Sequence, residues 1–304
     1  MLRPLWLLLL CLALMSPHRA SAQAADQLTW LHPDYPPVFI VSGPQRGQGS
    51  LDRVEQALIQ RLPGYEHVAE IANLKRMVRT MQSGQRACAV SMFKRPERAR
   101  TLLFSKPYLA VLPGRLVIRA RDRDRFAPWS DDQGRVRLQA LLDQAPMTLG
   151  FAQGRAYGGG IDAVIGAHAT PRNSLPSYSN EVFQDLLVML DNRRIDYTVA
   201  FSFELTHAQK QMSLSQRFIT LPIAESPPYT LNYVACVKSP WGEAVMAKIN
   251  PILMTLRATP TLYGPYKGTL DEQAASTYDA LVQSIFAPAS PAGTNTEQPA
   301  TSGE

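Results

Sequence analysis

The side chain with the clearest chemistry in this sequence is Arg98. It follows a short apolar run at residues 87–90, which reads as a buried strand, and it ends the sequence Ser-Met-Phe-Lys-Arg-Pro-Glu-Arg of residues 91–98. A guanidinium is planar and offers a fork of N–H donors that matches a carboxylate two hydrogen bonds at a time. Arg98 is therefore a candidate for holding an acidic group. The alternative is a solvated surface charge, since most arginines are exposed and charged residues surround it.

A second candidate is the glycine-rich segment at residues 152–160, Ala-Gln-Gly-Arg-Ala-Tyr-Gly-Gly-Gly, which follows a predicted strand at residues 147–151. A loop of this kind that leads into a helix presents free backbone N–H groups at the positive end of the helix dipole, where an anion is favoured. It is not a Walker phosphate loop, because no Gly-Lys-Ser/Thr sequence follows. The segment therefore indicates an anion-binding loop of another kind.

Patterns typical of hydrolases and zinc proteases, Gly-x-Ser-x-Gly and His-Glu-x-x-His, are not found in the sequence. Glu97, beside Arg98, and the isolated His32 are the only candidates for acid–base catalysis. An enzyme is therefore the less favoured alternative, and the sequence implies no cofactor.

The first 22 residues have the features of a secretory signal. Arg3 supplies the charged start, residues 5–15 are apolar, and a small-x-small cleavage site ends at Ala22. The apolar run is too short to span a bilayer well. We therefore expect cleavage after Ala22 and a mature protein outside the cytoplasm. Loss of the two arginines of this segment lowers the formal net charge from +6 to +4.

Several arginines cluster at residues 115–125, where they interleave with Asp122 and Asp124. The acids reduce the local positive field, and a secreted protein rarely meets nucleic acid. We therefore predict a solvated connection here and no nucleic-acid partner.

Two cysteines remain after the signal, Cys88 and Cys236. An even pair in an oxidising compartment suggests a disulfide, and the alternative is two free buried cysteines. The two are too few and too far apart in sequence for a metal site.

Apolar periodicity predicts alternating strands and helices along the chain. Up to residue 90 the order is strand-helix-strand-helix-strand, which implies a parallel sheet, and Ser50 is a plausible N-cap of the first helix. The length suggests about two domains, and residues 288–304 read as a disordered tail. Predicted strands lie at residues 28–31, 67–71, 87–90, 108–117, 147–151, 195–201, 218–223 and 233–237, and predicted helices at residues 51–62, 74–82, 138–142, 180–190, 241–256 and 277–286.

The stretch around Arg98 continues with Phe-Ser-Lys-Pro-Tyr at residues 104–108. The buried strand, the Pro-Glu-Arg of residues 96–98, this second pattern and the order of elements together resemble the bacterial family 3 extracellular solute-binding proteins. That family includes the periplasmic receptors for polar amino acids. The resemblance covers roughly residues 28–286, nearly all of the expected mature chain.

The resemblance implies an α/β fold of the type 2 periplasmic-binding-protein class, with two lobes joined by two hinge strands. Lobe 1 would be discontinuous, with residues 26–112 plus 231–287, and lobe 2 with the hinge strands would take residues 113–230. In this fold the strands that carry Cys88 and Cys236 are neighbours in lobe 1, which favours their disulfide. The resemblance also implies a periplasmic location.

The resemblance further implies a ligand site between the lobes. Arg98 would hold the ligand's carboxylate and Tyr35 would pack its ring on the ligand, although Tyr35 could instead cover the core. Asn73 would line the cleft, cap the helix at residues 74–82, or do both. The complete set of implied ligand-binding residues is Arg98, Tyr35, Asn73, Ser91, Phe93, Gly154, Arg155, Ala156, Tyr157, Phe201 and His32.

One departure from the family pattern concerns the ligand's ammonium group. Amino-acid receptors of this family place an Asp near the end of the strand at residues 195–201, and here that position carries Phe201 and its neighbours. The first acid that follows is Glu204. A buried ammonium without an anionic partner is costly, so an ordinary α-amino acid is not expected unless Glu204 substitutes.

These expectations describe a solute-binding protein that captures a small, acidic ligand between two lobes for an ABC-type transporter or a membrane sensor. It would act as a monomer without cofactor, metal or nucleic acid. The alternatives are an enzyme on the same scaffold, similar to a dehydratase or a glycan lyase, and a sensory or adaptor protein with no transport role.

Overall fold

The computed structural model describes residues 26–178 and 182–287. The expected signal peptide at residues 1–22 and the expected tail at residues 288–304 lie outside the described residues. Asn180, where the sequence predicts the start of a helix, also lies outside them.

The strands of the described residues form two β-sheets. The first sheet has the order β2-β1-β3-β11-β4, with β5 also pairing with β11, and the second has the order β10-β6-β9-β7-β8. The strands are β1 (Asp26–His32), β2 (Tyr65–Ile71), β3 (Ala87–Phe93), β4 (Leu102–Phe104), β5 (Leu109–Val111), β6 (Arg115–Arg119), β7 (Leu149–Ala152), β8 (Ser174–Ser177), β9 (Tyr197–Ala200), β10 (Phe218–Leu221) and β11 (Thr230–Val237).

Helices pack on both sheets. They are α1 (Ser50–Ile59), α2 (Leu74–Gln82), α3 (Pro96–Ala99), α4 (Arg123–Phe126), α5 (Leu138–Gln144), α6 (Gly159–His168), α7 (Val182–Asp191), α8 (Ser202–Gln211), α9 (Pro240–Leu256), α10 (Pro260–Lys267) and α11 (Glu272–Phe286), with short 3₁₀ turns at Ala120–Asp122 and Ala127–Trp129.

We call the first sheet with its helices lobe 1 and the second sheet with its helices lobe 2. The chain crosses between them twice, from β5 to β6 and from β10 to β11. Lobe 1 therefore contains both the beginning and the end of the described chain, and lobe 2 lies between two connecting segments. This two-lobed α/β architecture is the fold class that the sequence predicts.

Helices cover both faces of the lobe 1 sheet. Because alternate strand residues point in opposite directions, each strand contributes side chains to both of these cores. Trp30 and Val90 belong to a large core with α1, α9, α10 and α11. Their sequence neighbours Leu31 and Ala89 face α2, where Met77 is buried. As the order of elements predicts, β1 pairs with β2 and with β3 in parallel.

Cys88 and Cys236 are bonded to each other across the lobe 1 sheet. They form a directly opposed pair on the antiparallel strands β3 and β11, with their Cα atoms 4.1 Å apart. The predicted disulfide is thus confirmed, and both cysteines are fully buried.

One local prediction is wrong, and another holds only in part. The N-cap of α1 is Gly49, not Ser50. The Asp52 carboxylate accepts a hydrogen bond from the Gly49 N–H at 2.8 Å, so the backbone donor at the start of the helix has a partner. In the arginine-rich stretch at residues 115–125, Arg121, Arg123 and Arg125 are exposed, as predicted, but Arg119 is buried, with 3 % of its surface exposed. It pairs with Asp122 at 2.5 Å and donates to the Leu190 carbonyl at the end of α7, where a cation is favoured.

Within residues 26–178 and 182–287, no helix combines the length and the apolar character that a membrane crossing requires.

Candidate functional site: the boundary between the lobes

Arg98 is buried at the boundary between the two lobes, with 8 % of its surface exposed. Pro96 begins the single-turn helix α3 directly after β3, and proline's fixed φ suits a first helical position. The turn directs the guanidinium of Arg98 toward lobe 2, where its Nη2 donates to the Gly154 carbonyl at 3.1 Å. Its Nη1 donates to the Phe93 carbonyl at 3.4 Å. The alternative of a solvated surface charge is therefore wrong.

The charge of Arg98 is not matched by a carboxylate. Among the described residues, no Asp or Glu forms an ion pair with it, and its hydrogen bonds go to backbone carbonyls. Burial lowers the pKa of Arg98 and the positive charge of Arg95 lowers it further, while the more distant carboxylates of Glu97 and Asp162 offset part of this effect. A guanidinium remains protonated in proteins, so the site holds a buried positive charge that an anion would stabilise.

Arg155 forms a bidentate pair with Glu204 inside lobe 2. Its Nη1 is 2.9 Å from Glu204 Oε1 and its Nη2 is 2.7 Å from Glu204 Oε2. The same Nη2 donates to the hydroxyl of Tyr35, in lobe 1, at 2.7 Å. Burial alone would lower the pKa of Arg155, but the adjacent Glu204 carboxylate holds it well above its usual value. Arg155 therefore links the two lobes while its own charge is neutralised.

Glu204 is fixed by the start of α8. It is the third residue of this helix, and its Oε2 also accepts a hydrogen bond from the Phe201 N–H at 2.8 Å. Glu204 is 2 % exposed. The carboxylate therefore caps the helix and binds Arg155 at once, which leaves it already engaged by protein donors.

Three aromatic rings surround the Arg155 guanidinium. Its Cζ lies 5.4 Å from the ring centre of Tyr35, 5.2 Å from that of Tyr157 and 5.3 Å from that of Phe201. These distances fall within the range of cation–π attraction. Burial raises the pKa of Tyr157 to about 12 and raises the pKa of Tyr35 as well. Both phenols therefore remain neutral at physiological pH.

Aromatic packing also closes the lobes on each other. Phe201 and Phe203, at the start of α8 in lobe 2, belong to the main core of lobe 1. Phe201 packs edge-on against Phe93, with ring centres 6.1 Å apart, and Phe203 packs against Tyr266 at 6.1 Å. Burial of these rings favours the closed arrangement of the lobes.

Seven of the eleven predicted ligand-binding residues meet at this boundary. They are Arg98, Tyr35, Phe93, Gly154, Arg155, Tyr157 and Phe201. Two of the others stay close to them in sequence: Ala156 is buried beside Tyr157, and Ser91 is half-buried two residues before Phe93 on β3.

The remaining two residues occupy local structural positions. Asn73 is the N-cap of α2 and accepts a hydrogen bond from the Arg76 N–H at 3.0 Å, as the capping alternative predicts. His32, at the end of β1, stacks on the buried ring of Phe39 with ring centres 5.0 Å apart. These contacts give both side chains a role in the fold of lobe 1.

Phe203 and Tyr266 were not predicted from the sequence, and Glu204 was predicted only as a possible ammonium partner. The signal for Glu204 is its place three residues after Phe201, which is the spacing of a capping box. Tyr266 lies far along the chain, and its hydroxyl accepts a hydrogen bond from the Leu112 N–H at 2.9 Å. No local sequence pattern marks that long-range contact.

The described residues contain no group of three or more His, Cys, Asp or Glu side chains placed to hold a metal ion. The boundary holds one guanidinium that is bonded to backbone carbonyls, one guanidinium that is paired with a carboxylate, and a set of aromatic rings.

No protein-family model matches this chain, and no curated protein matches its sequence. The similarity to solved structures is one of fold. An ancestral arginine-binding protein bound to glutamine superposes with a TM-score of 0.60 at 15 % identity, over 82 % of this chain and 99 % of that one. A histidine kinase sensor domain with similarity to periplasmic binding proteins gives 0.62 at 15 % identity, over 81 % and 96 %.

A third similar structure is an ancestral amino-acid-binding protein that is a precursor of cyclohexadienyl dehydratase. It gives a TM-score of 0.57 at 17 % identity, over 80 % of this chain and 94 % of that one. At these identities the similarity establishes architecture only. This chain has the two-lobed type 2 periplasmic-binding-protein fold.

Proposed function

We propose that this protein is a periplasmic solute-binding protein of the family 3 type, and that Arg98 holds the carboxylate of a small ligand between its two lobes. The observation that supports this most is the buried Arg98 guanidinium at the lobe boundary, whose hydrogen bonds go only to backbone carbonyls. A buried charge without a direct carboxylate partner is costly, and a ligand carboxylate would offset that cost with a bidentate pair.

The charges at the boundary also support an acidic ligand. Arg155 and Glu204 neutralise each other, whereas Arg98 forms no ion pair with a carboxylate of the described residues. An acidic ligand without an ammonium group matches this arrangement. An α-amino acid would place its ammonium near a carboxylate that Arg155 already holds.

The protein would deliver its ligand to an ABC-type transporter or to a membrane sensor, and would act as a monomer. The expected signal sequence that ends at Ala22 supports a periplasmic location. Two lobes joined by two chain segments are suited to hinge closure around a ligand. A sensor role agrees with the same architecture in a histidine kinase sensor domain.

We propose binding rather than catalysis because the two candidate catalytic residues lie apart and are engaged elsewhere. The Glu97 carboxylate is 59 % exposed and pairs with Arg95 at 3.1 Å. His32 stacks on Phe39 in lobe 1. Acid–base catalysis needs such groups within hydrogen-bond reach of one reacting centre.

Native mass spectrometry of protein purified without denaturation would identify a co-purified ligand. Isothermal titration would then compare that ligand, or a panel of small carboxylates, with their neutral amides. The proposal expects saturable binding of a carboxylate, no binding of its amide, and no chemical turnover of the ligand. Equal binding of acid and amide would reject the carboxylate assignment, and turnover would reject the binding role.

A further inference from the structure

We propose that lobe closure forms a guanidinium-binding pocket that the protein fills with its own Arg155. The walls of this pocket are Tyr35, Tyr157, Phe201 and Glu204. This pocket, which accepts a cation, is separate from the site proposed at Arg98, which accepts a carboxylate. Its natural occupant is the Arg155 side chain of the same molecule, and this occupied pocket holds the two lobes together.

The contacts of Arg155 are those of a bound guanidinium. Both of its Nη atoms donate to the Glu204 carboxylate, at 2.9 and 2.7 Å, and one of them also donates to the Tyr35 hydroxyl. Three aromatic rings lie within 5.4 Å of its Cζ. A planar fork paired with a carboxylate and enclosed by rings is a recognition geometry specific to guanidinium, which an ammonium does not reproduce.

The walls are held by contacts that do not involve Arg155. Glu204 accepts the Phe201 N–H at the start of α8. The Tyr157 hydroxyl accepts the Ala152 N–H at 2.9 Å. Tyr35 is fixed through backbone hydrogen bonds with Phe39, at 3.0 and 2.9 Å. Because these walls are supported independently, we infer that the pocket keeps its shape when the arginine side chain is removed.

The pocket is divided between the lobes. Tyr157, Phe201 and Glu204 come from lobe 2, and Tyr35 comes from the segment after β1 in lobe 1. Arg155 therefore makes its bond to Tyr35 only when the lobes are closed. A free guanidinium compound of the right size would compete for the same walls.

The test replaces the side chain with a free molecule. Arg155→Ala removes the atoms of an ethylguanidinium ion, so the probe is ethylguanidinium chloride, titrated by calorimetry into the variant and the wild-type protein. We expect saturable binding to the variant and none to the wild type over the same millimolar range. Ethylammonium chloride and sodium chloride at equal concentration serve as controls for charge and salt, and neither should bind.

A second variant tests the anion. Arg155→Ala combined with Glu204→Gln removes the carboxylate without leaving it unpaired, and we expect it to lose ethylguanidinium binding while keeping a native circular dichroism spectrum. If Arg155→Ala alone is unfolded, the comparison is made on refolding. Recovery of the native spectrum with ethylguanidinium but not with ethylammonium supports the pocket.

Three outcomes would overturn the proposal: no binding by a folded Arg155→Ala variant, equal binding of ethylammonium, or no recovery on refolding. None of them bears on Arg98, because no carboxylate ligand takes part in the experiment. Failure of the pocket and failure of the proposed function are therefore distinguishable.

Discussion

Arg98 in lobe 1 and Gly154 in lobe 2 are joined by a hydrogen bond of 3.1 Å from the guanidinium to the carbonyl oxygen. This bond brings Arg98 to the residue that precedes Arg155 in the chain. Two arginines thus converge on the lobe boundary in different electrostatic states. Arg155 is paired with Glu204, and Arg98 is paired with carbonyl groups alone. This difference agrees with the two tasks that we propose, in which Arg155 holds the lobes and Arg98 receives an anion.

Arg98→Ala should abolish binding of the acidic ligand while leaving the fold intact. Removing one partner of a buried charge pair costs about 3–5 kcal/mol, which corresponds to about a 150- to 4,500-fold loss of affinity. Isothermal titration with the ligand identified by mass spectrometry measures this loss. Arg100→Gln, at an exposed position two residues away, is the matched control and should bind normally. Unchanged affinity in Arg98→Ala would remove the residue from the site.

The standard L-amino acids should not stabilise the protein. Their ammonium group requires an anionic partner, and the Glu204 carboxylate is already bound by Arg155 and by the Phe201 N–H. A thermal-shift screen at sub-millimolar concentration should show no rise in melting temperature for any of them. The matched probes are the corresponding carboxylic acids without the α-amino group. A rise with any standard amino acid would contradict the prediction, and Glu204→Gln would then be the first variant to examine.

The order of elements and the disulfide could be predicted from the sequence, because both follow from local signals. Apolar periodicity marks strands such as β3, and two cysteines in an oxidising compartment favour a bond. Pro96 and Glu97 give the surroundings of Arg98 a distinctive pattern that singles it out in the sequence, and its role in ligand binding stays a prediction. The parts that were not predicted depend on tertiary contacts.

The pairing of Arg155 with Glu204 is an example. The two residues are separated by a strand, two helices and a further strand, and no periodicity relates them. Arg119 is another example. Its charge predicts an exposed position, but Asp122 and the carbonyl end of α7 lie next to it in space and make burial of the guanidinium favourable. Such pairings are set by tertiary structure, so a reading of local pattern does not reveal them.

Glu55 should make the protein less stable as the pH rises toward 8. Burial on the inner face of α1, together with the nearby Asp52 carboxylate, raises the pKa of Glu55 from its ordinary value of 4.5 to about 8. Between these two pH values the folded state keeps a proton that the unfolded state has released. The stabilisation is therefore complete below about pH 4.5 and is lost as the pH rises through 8.

Glu55→Gln should remove this dependence. Relative to wild type, the free energy of unfolding of the variant should rise between pH 5.5 and 8.5, by up to about 1.4 kcal/mol for each pH unit. Urea unfolding at the two pH values measures the difference. Glu66→Gln, at an exposed position, is the control and should keep the wild-type profile. Parallel profiles for Glu55→Gln and wild type would show that Glu55 does not titrate in this range.

The disulfide between Cys88 and Cys236 should stabilise the fold without restricting lobe closure. The two residues are 148 positions apart, and the chain between them contains all five strands of the lobe 2 sheet. Constraining so long a loop in the unfolded chain is worth about 5 kcal/mol at most by chain-entropy estimates. Both cysteines lie in lobe 1, so the bond does not cross the boundary between the lobes.

Reduction with dithiothreitol should therefore lower the melting temperature of the wild-type protein and leave ligand affinity unchanged. The variant with both Cys88→Ala and Cys236→Ala should melt at a lower temperature than the wild type and should not respond to the reductant. A thiol count on unfolded, unreduced protein provides the direct check, since the bond predicts no reactive thiol. Two reactive thiols, or a wild-type melting temperature that does not respond to reduction, would show that the bond is not formed or does not stabilise the fold.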